Sequence, residues 1–364
     1  MKKKLKTLTL ACLLSLTTSQ TFALNAPEGV RPCCAFGVDL KAAVAGVPVF
    51  FFSIGNMLTT EELGKHHYND NSQGVIKSLF GGGSEKNGLI YTEKGGVIDI
   101  AHVRDTADYT FYLYQHILPN LGKDHSLQLE NELRTREIKL LANNTKLSEA
   151  EKQKISIELA GLLAFQLAQW HEIAQWFGLT SVGSWSEEAS AFSPEDLYSN
   201  MLGAKIAMEV ISSSPNVNVK GFTEEFDKAI IKKLQNMKAA DTDKTAAVIT
   251  ALDGNWWNSN ERLPSKWVLQ RRDYCLAENL VPNGVKDGKT LSLNTHLSQW
   301  GLLRLQASDD EHHFSILPTS LTDKNFWSRE DFQALADFAY HHDSQQKINE
   351  NVSVRENLKE NSCR

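Results

Sequence analysis

The run ISIELAGLLAFQLAQWHEIAQWFG, from Ile155 to Gly178, limits the possible folds of this 364-residue chain more than any other segment. Wound at 3.6 residues per turn, it is apolar on nearly every side. Its strongly polar members are Glu158, Gln166, Gln169, His171, Glu172 and Gln175. A helix that is apolar all round must be covered all round, so this one should run through the centre of the protein with other elements packed against it. Gly178 supplies its stop.

Other segments can provide that cover. SPEDLYSNMLGAKIAMEVISSS has Ser193 in N-cap position, Pro194 as the first helical residue, and Glu195 and Asp196 in the first turn. TEEFDKAIIKKLQNMKAA reads as an amphipathic surface helix, and SREDFQALADFAYHHD opens on a cap at Ser328. The charged stretch from Asp124 to Lys154 reads as a solvated helix, broken near Asn143 and Asn144 and restarted at Ser148. VPNGVKDGKTLSLN carries Asn283-Gly284 and Asp287-Gly288, the chemistry of a small hairpin. The expected class is mainly α: a single globular helical domain over residues 24–345 with a few short strands or a hairpin, and a polar, disordered tail over 346–364.

Met1 to Ala23 has the layout of a bacterial secretory signal: Lys2, Lys3, Lys4 and Lys6, then LTLACLLSL, then a polar approach to TFA. Cleavage after Ala23 would leave Leu24 at the start of a periplasmic or secreted protein. The alternative is a lipoprotein anchored through Cys12 of TLAC. No later segment is long enough to span a bilayer; the nearest, AAVAGVPVFFFSI, is short, contains Pro48 and is expected to be buried. Loss of the signal removes four lysines and no acid, moving the formal charge from -6 to -10. So acidic a chain argues against nucleic acid as a partner, leaving an envelope component or a small-molecule substrate. Four cysteines remain, Cys33, Cys34, Cys275 and Cys363, and in an oxidising compartment one of the first two is expected to bond Cys275.

Several common catalytic patterns are missing. GGGSEK lacks the ending of a phosphate-binding loop, no G-x-S-x-G forms a nucleophile elbow, and no G-x-G-x-x-G follows a strand. HEIAQ approaches a zinc-protease helix, but Gln175 stands where the second histidine would be, and the bland reading makes His171 and Glu172 buried polar groups satisfied by neighbouring helices. In GGVIDIAHVRDTADYT, a helix begun by Ile100 would align His102, Asp105, Thr106 and Tyr109, with Asp105 orienting His102. A carboxylate-supported imidazole serves both as a general base and as a metal ligand, and it is also a common surface pair.

The phrases RPCCAFG, LGKHHY, NGLIYTEKGGVIDIAHVRDTADYT, WHEIAQWFG and SEEASAFSPEDLYSN resemble a bacterial family catalogued as domain of unknown function 4056, over a span from Arg31 to at least Gly203. The resemblance implies a secreted or envelope location and no particular reaction. Its polar motifs fall on Cys33, Cys34, His66, Tyr68, His102, Asp105, His171, Glu172, Glu188 and Asp196.

Three functional readings compete. In the first, His66, His102 and His171 converge with Glu172 or Asp105 around a divalent metal, zinc foremost, so that a hydrolase with His102, Asp105 and Glu172 as catalytic groups activates water. In the second, Cys33 or Cys34 is a thiolate nucleophile with His102 as base and Asp105 as orienter. In the third, the protein is an envelope binding or scaffold protein whose polar helix residues specify packing.

Overall fold

A computed structural model of the chain describes residues 24–29, 42–44, 47–49, 57–70, 84–180 and 186–350. The signal segment lies outside these residues. Two short strands, β1 (Ala42–Val44) and β2 (Val47–Val49), pair antiparallel. A second hairpin, β3 (Leu89–Thr92) and β4 (Gly96–Asp99), leads without a break into α1 (Ile100–Asn120). The junction is set by Asp99, whose Oδ1 accepts from the N–H groups of Ala101 (2.7 Å) and His102 (3.2 Å). One residue thus ends the strand and caps the helix.

The apolar run forms α2 (Glu149–Trp176), started by a reciprocal capping box between Ser148 and Glu151 and stopped at Gly178, whose φ is +96°. It is covered as its composition requires. α1 and α3 (Asp196–Ser213) pack against it and against each other, and α4 (Val219–Asn236) lies on α3. Along α4, Phe222, Phe226, Ile230 and Leu234 form one buried stripe, each four residues from the next. At the crossing of α1 and α3 the backbones nearly touch: a Cβ on Gly203 would lie 2.1 Å from the carbonyl oxygen of Val103. α5 (Thr242–Ala251) and the short α6 (Thr319–Thr322) follow, and α7 (Arg329–Asn349) closes the described chain.

The stretch after α1 departs from the expected helix. β5 (His125–Gln128) and β6 (Thr135–Leu140) join β9 (Gly301–Gln306) and β10 (Phe326–Trp327) in an antiparallel sheet of order β10-β9-β6-β5. The charges that suggested a solvated helix are partly buried and paired in the sheet: Arg136 meets Glu132 at 3.0 Å, and Glu137 accepts from Gln306 at 2.8 Å. The anticipated later hairpin is present as β7 (Asn279–Leu280) paired with β8 (Leu291–Ser292). With 46% helix and 13% strand the fold is mixed α/β rather than mainly α, although its centre is helical. Two boundaries also move. α3 begins at Asp196 because Ser193 bonds Glu195 instead of capping the helix, and α7 runs four residues past the expected start of the tail. Among the described residues no helix is long and apolar enough to cross a membrane.

Candidate metal centre

Three elements deliver polar groups to one buried place: the β4–α1 junction brings Asp99 and His102, α2 brings Glu172, and the start of α3 brings Glu195 and Asp196. None of the five is more than 2% exposed. The junction is tied to α3 by Asp99 N–H donating to Ser199 Oγ (2.9 Å) and by Thr106 Oγ1 donating to Asn200 Oδ1 (2.7 Å).

His102 lies between two carboxylates, with Nδ1 3.4 Å from Asp99 and Nε2 3.7 Å from Asp196. Neither ring nitrogen has a hydrogen-bond partner. Both separations exceed the ~2.7–2.9 Å of a strong charge-assisted hydrogen bond. They run from different ring nitrogens, whose lone pairs diverge, so a single ion would be held through one nitrogen and leave the other to a carboxylate. Asp99, His102 and Asp196 each offer a ligand atom within 4.8 Å of the others. Around them, Glu172 Oε2 accepts from Phe192 N–H at 2.6 Å while its Oε1 has no partner. Glu195 Oε1 accepts from Ser193 at 2.8 Å, and its Oε2 also has none.

Burial raises the pKa of Glu172, against the opposing pull of His102 and His171. Burial likewise pushes Glu195 up to about 7, with Asp99 adding to the rise. Burial works against a charge on His102, but Asp99 and Glu172 raise its pKa overall. Burial is the largest contribution to both rises, so these carboxylates take up a proton more readily than in water, and a positive charge beside them would hold them ionised.

The other expected site residues lie elsewhere. Asp105 does not orient His102; its carboxylate accepts from Asn69 Nδ2 at 3.3 Å. Helical side chains lean toward the N-terminus, so His102 meets Asp99 three residues before it rather than Asp105 three residues after. His66 lies against Asp108 (2.8 Å) and Glu85 (3.7 Å), packed on Phe226. His171 lies between Glu132 (3.3 Å) and Glu187 (3.8 Å), with Gln175 at 2.9 Å and Arg136 completing the set through Glu132. Burial lowers both imidazoles, but their carboxylates outweigh it and raise each to about 9. The three histidines therefore occupy three settings instead of one metal sphere, and Glu172 stands electrostatically between His102 and His171.

Glu188 forms an ion pair with Lys266 at 3.1 Å, and Tyr68 donates to Asn25 O. Cys33, Cys34 and Cys363 lie outside the described residues, and with them the thiol nucleophile and the bond anticipated to Cys275, which is itself buried. Asp99 and Glu195 lie outside the site expected from the sequence, and Asp196 stands there only among the polar positions of the resembled family's motifs. Asp99 had a signal: an aspartate directly before an apolar helical run marks an N-cap.

Residues 21–286 match the profile of a family described as protein of unknown function (DUF4056), and the chain belongs to that family. No curated protein and no solved structure matches the chain.

Proposed function

We propose that this member of the DUF4056 family is a metal-dependent hydrolase of the bacterial cell envelope, with Asp99, His102 and Asp196 as metal ligands and Glu172 as general base. The observation that carries this reading is His102. One of its ring nitrogens and a carboxylate oxygen each from Asp99 and Asp196 lie within 4.8 Å of one another, and neither nitrogen, though buried, makes a hydrogen bond. Two carboxylate oxygens and one imidazole suit zinc or manganese.

A divalent ion at this place would lower the pKa of a bound water toward ~7 and polarise the bond to be cut. Glu172 is placed for the accompanying proton transfer, with Oε2 anchored by Phe192 N–H and Oε1 without a partner. Glu195, next to Asp196, lies on the same wall, and an ion there would favour its ionised form. The signal-like layout of Met1 to Ala23 supports an envelope location, and the substrate would be a small molecule or envelope component with an ester, phosphoester or amide bond.

The test begins with the metal content of the exported protein, followed by chelation and reloading with zinc or manganese. The ion should bind wild type but not Asp196→Asn. At a free concentration a hundred times Kd it should stabilise wild type by about 2.7 kcal/mol. A panel of ester, phosphoester and amide substrates should be cleaved only by loaded wild type. Protein that neither carries nor gains stability from either metal would defeat the proposal. The burial of all five groups favours one second reading, a structural ion that pins the start of α1 to the start of α3. It predicts the stabilisation without turnover.

A further inference from the structure

Far along the chain from His102, a short turn over Glu311–Phe314 follows Asp310 and packs on the C-terminal end of α2. Asp310, His312 and His313 each offer a ligand atom within 4.8 Å of the others, and unlike the buried centre they reach solvent. Several contacts hold the turn in place. Phe314 is buried, Glu311 meets Arg134 Nη2 at 2.6 Å, and Arg134 lies flat over Trp327 at 3.5 Å. The carboxylate of Asp310 caps nothing.

His313 supplies the independent observation. Its Nδ1 is 2.8 Å from the carbonyl oxygen of Phe177, the C-cap of α2. A carbonyl can only accept, so Nδ1 carries the hydrogen and the lone pair is left on Nε2. Donation of one ring N–H to a backbone carbonyl is the support that ligating histidines commonly have. The acceptor lies at the end of a 28-residue helix, where the backbone dipole favours positive charge.

We infer that Asp310, His312 and His313 form a second, solvent-accessible site for a borderline transition-metal ion, zinc by preference. Two imidazoles and one carboxylate are a three-ligand zinc set that leaves a position for water. The site lies beyond residues 21–286, so it belongs to this chain rather than to the part that defines its family. An ion there would fasten the turn before β10 and α7 to the end of the central helix.

The inference does not depend on the buried centre, and stoichiometry separates the two. Full-length protein, stripped with chelator and dialysed against micromolar free zinc, is compared with His312→Ala, an exposed change that leaves the fold intact by circular dichroism. The variant should hold about one ion fewer than wild type, and Asp310→Asn should weaken that ion at least ~10-fold. Two ions falling to one support both sites. One falling to none supports this site and removes the buried one. Equal stoichiometry in wild type and variant overturns the inference.

Discussion

His102 and His171 come from helices that pack on each other, both are about 1% exposed, and each is flanked by two carboxylates. Around His171 both ring nitrogens are used: Nδ1 meets Glu132, which is shared with Arg136, and Gln175 bridges Nε2 and Glu187. Around His102 both ring nitrogens are left without a hydrogen bond. His66 falls between the two, with Nε2 on Asp108 at 2.8 Å and Nδ1 without a hydrogen bond. A buried histidine beside acids is therefore poor evidence of chemistry by itself. What distinguishes the two kinds is whether the neighbours use up the ring's hydrogen-bonding capacity.

The largest effect expected from this contrast is at His171. His171→Ala removes one partner of a buried charged set and should lower stability by about 3 kcal/mol in chemical denaturation. Metal content of the surviving folded protein should not change. Loss of the buried ion in that variant would instead place His171 inside the metal's sphere and erase the distinction.

A smaller effect is expected from pH. His66 has a folded pKa of about 9, set by burial opposed and exceeded by Asp108 and Glu85, whereas an unfolded histidine lies near ~6.5. The folded state then keeps a proton that the unfolded state has lost. The stabilisation from His66 is complete below pH ~6.5 and disappears as pH rises through about 9. Burial raises Asp108 as well, so that part of the pair's response falls at acid pH, and the alkaline window reports His66 together with His171, whose pKa is also raised to about 9. Denaturation midpoints should fall between pH 7 and 9.5 in wild type and fall less in His66→Asn. Parallel slopes would mean that His66 is neutral in the folded protein.

The smallest change in stability belongs to Asp99→Asn. Asparagine caps helices about as well as aspartate, so α1 should lose no more than a few tenths of a kcal/mol. The substitution nevertheless replaces a charged oxygen beside His102, and metal affinity should drop well out of proportion to stability. If affinity is unchanged, Asp99 is only a cap, and the resemblance between the two histidines becomes closer than proposed.

Much of the helical frame was legible. α4 shows its apolar residues at helical spacing, and α2 restarts at Ser148 and carries an apolar run too broad for a surface helix, although its first turn belongs to the charged stretch. β6 was not legible, because Arg136 and Glu137 are buried by pairing with side chains distant in sequence or across a turn, which erases the polar–apolar alternation of a strand. The candidate site divides in the same way. His102 stands out in its own phrase, but Asp196 reaches it through the packing of α1 on α3, and Glu172 through that of α2. Such partners are chosen by tertiary contacts and leave little trace in local spacing.

Gly203 gives the α1–α3 crossing a further meaning. Its missing side chain lets Val103, next to His102, lie against the same helix that carries Asp196 at its start. The crossing works as a calliper whose jaws are Asp99 and His102 on one side and Asp196 on the other. A single methyl group at residue 203 would hold the jaws apart, since what it meets is backbone that cannot rotate away. The spacing of the three candidate ligands would thus be gauged beside His102 and seven residues along α3 from Asp196, by a residue with no chemistry of its own.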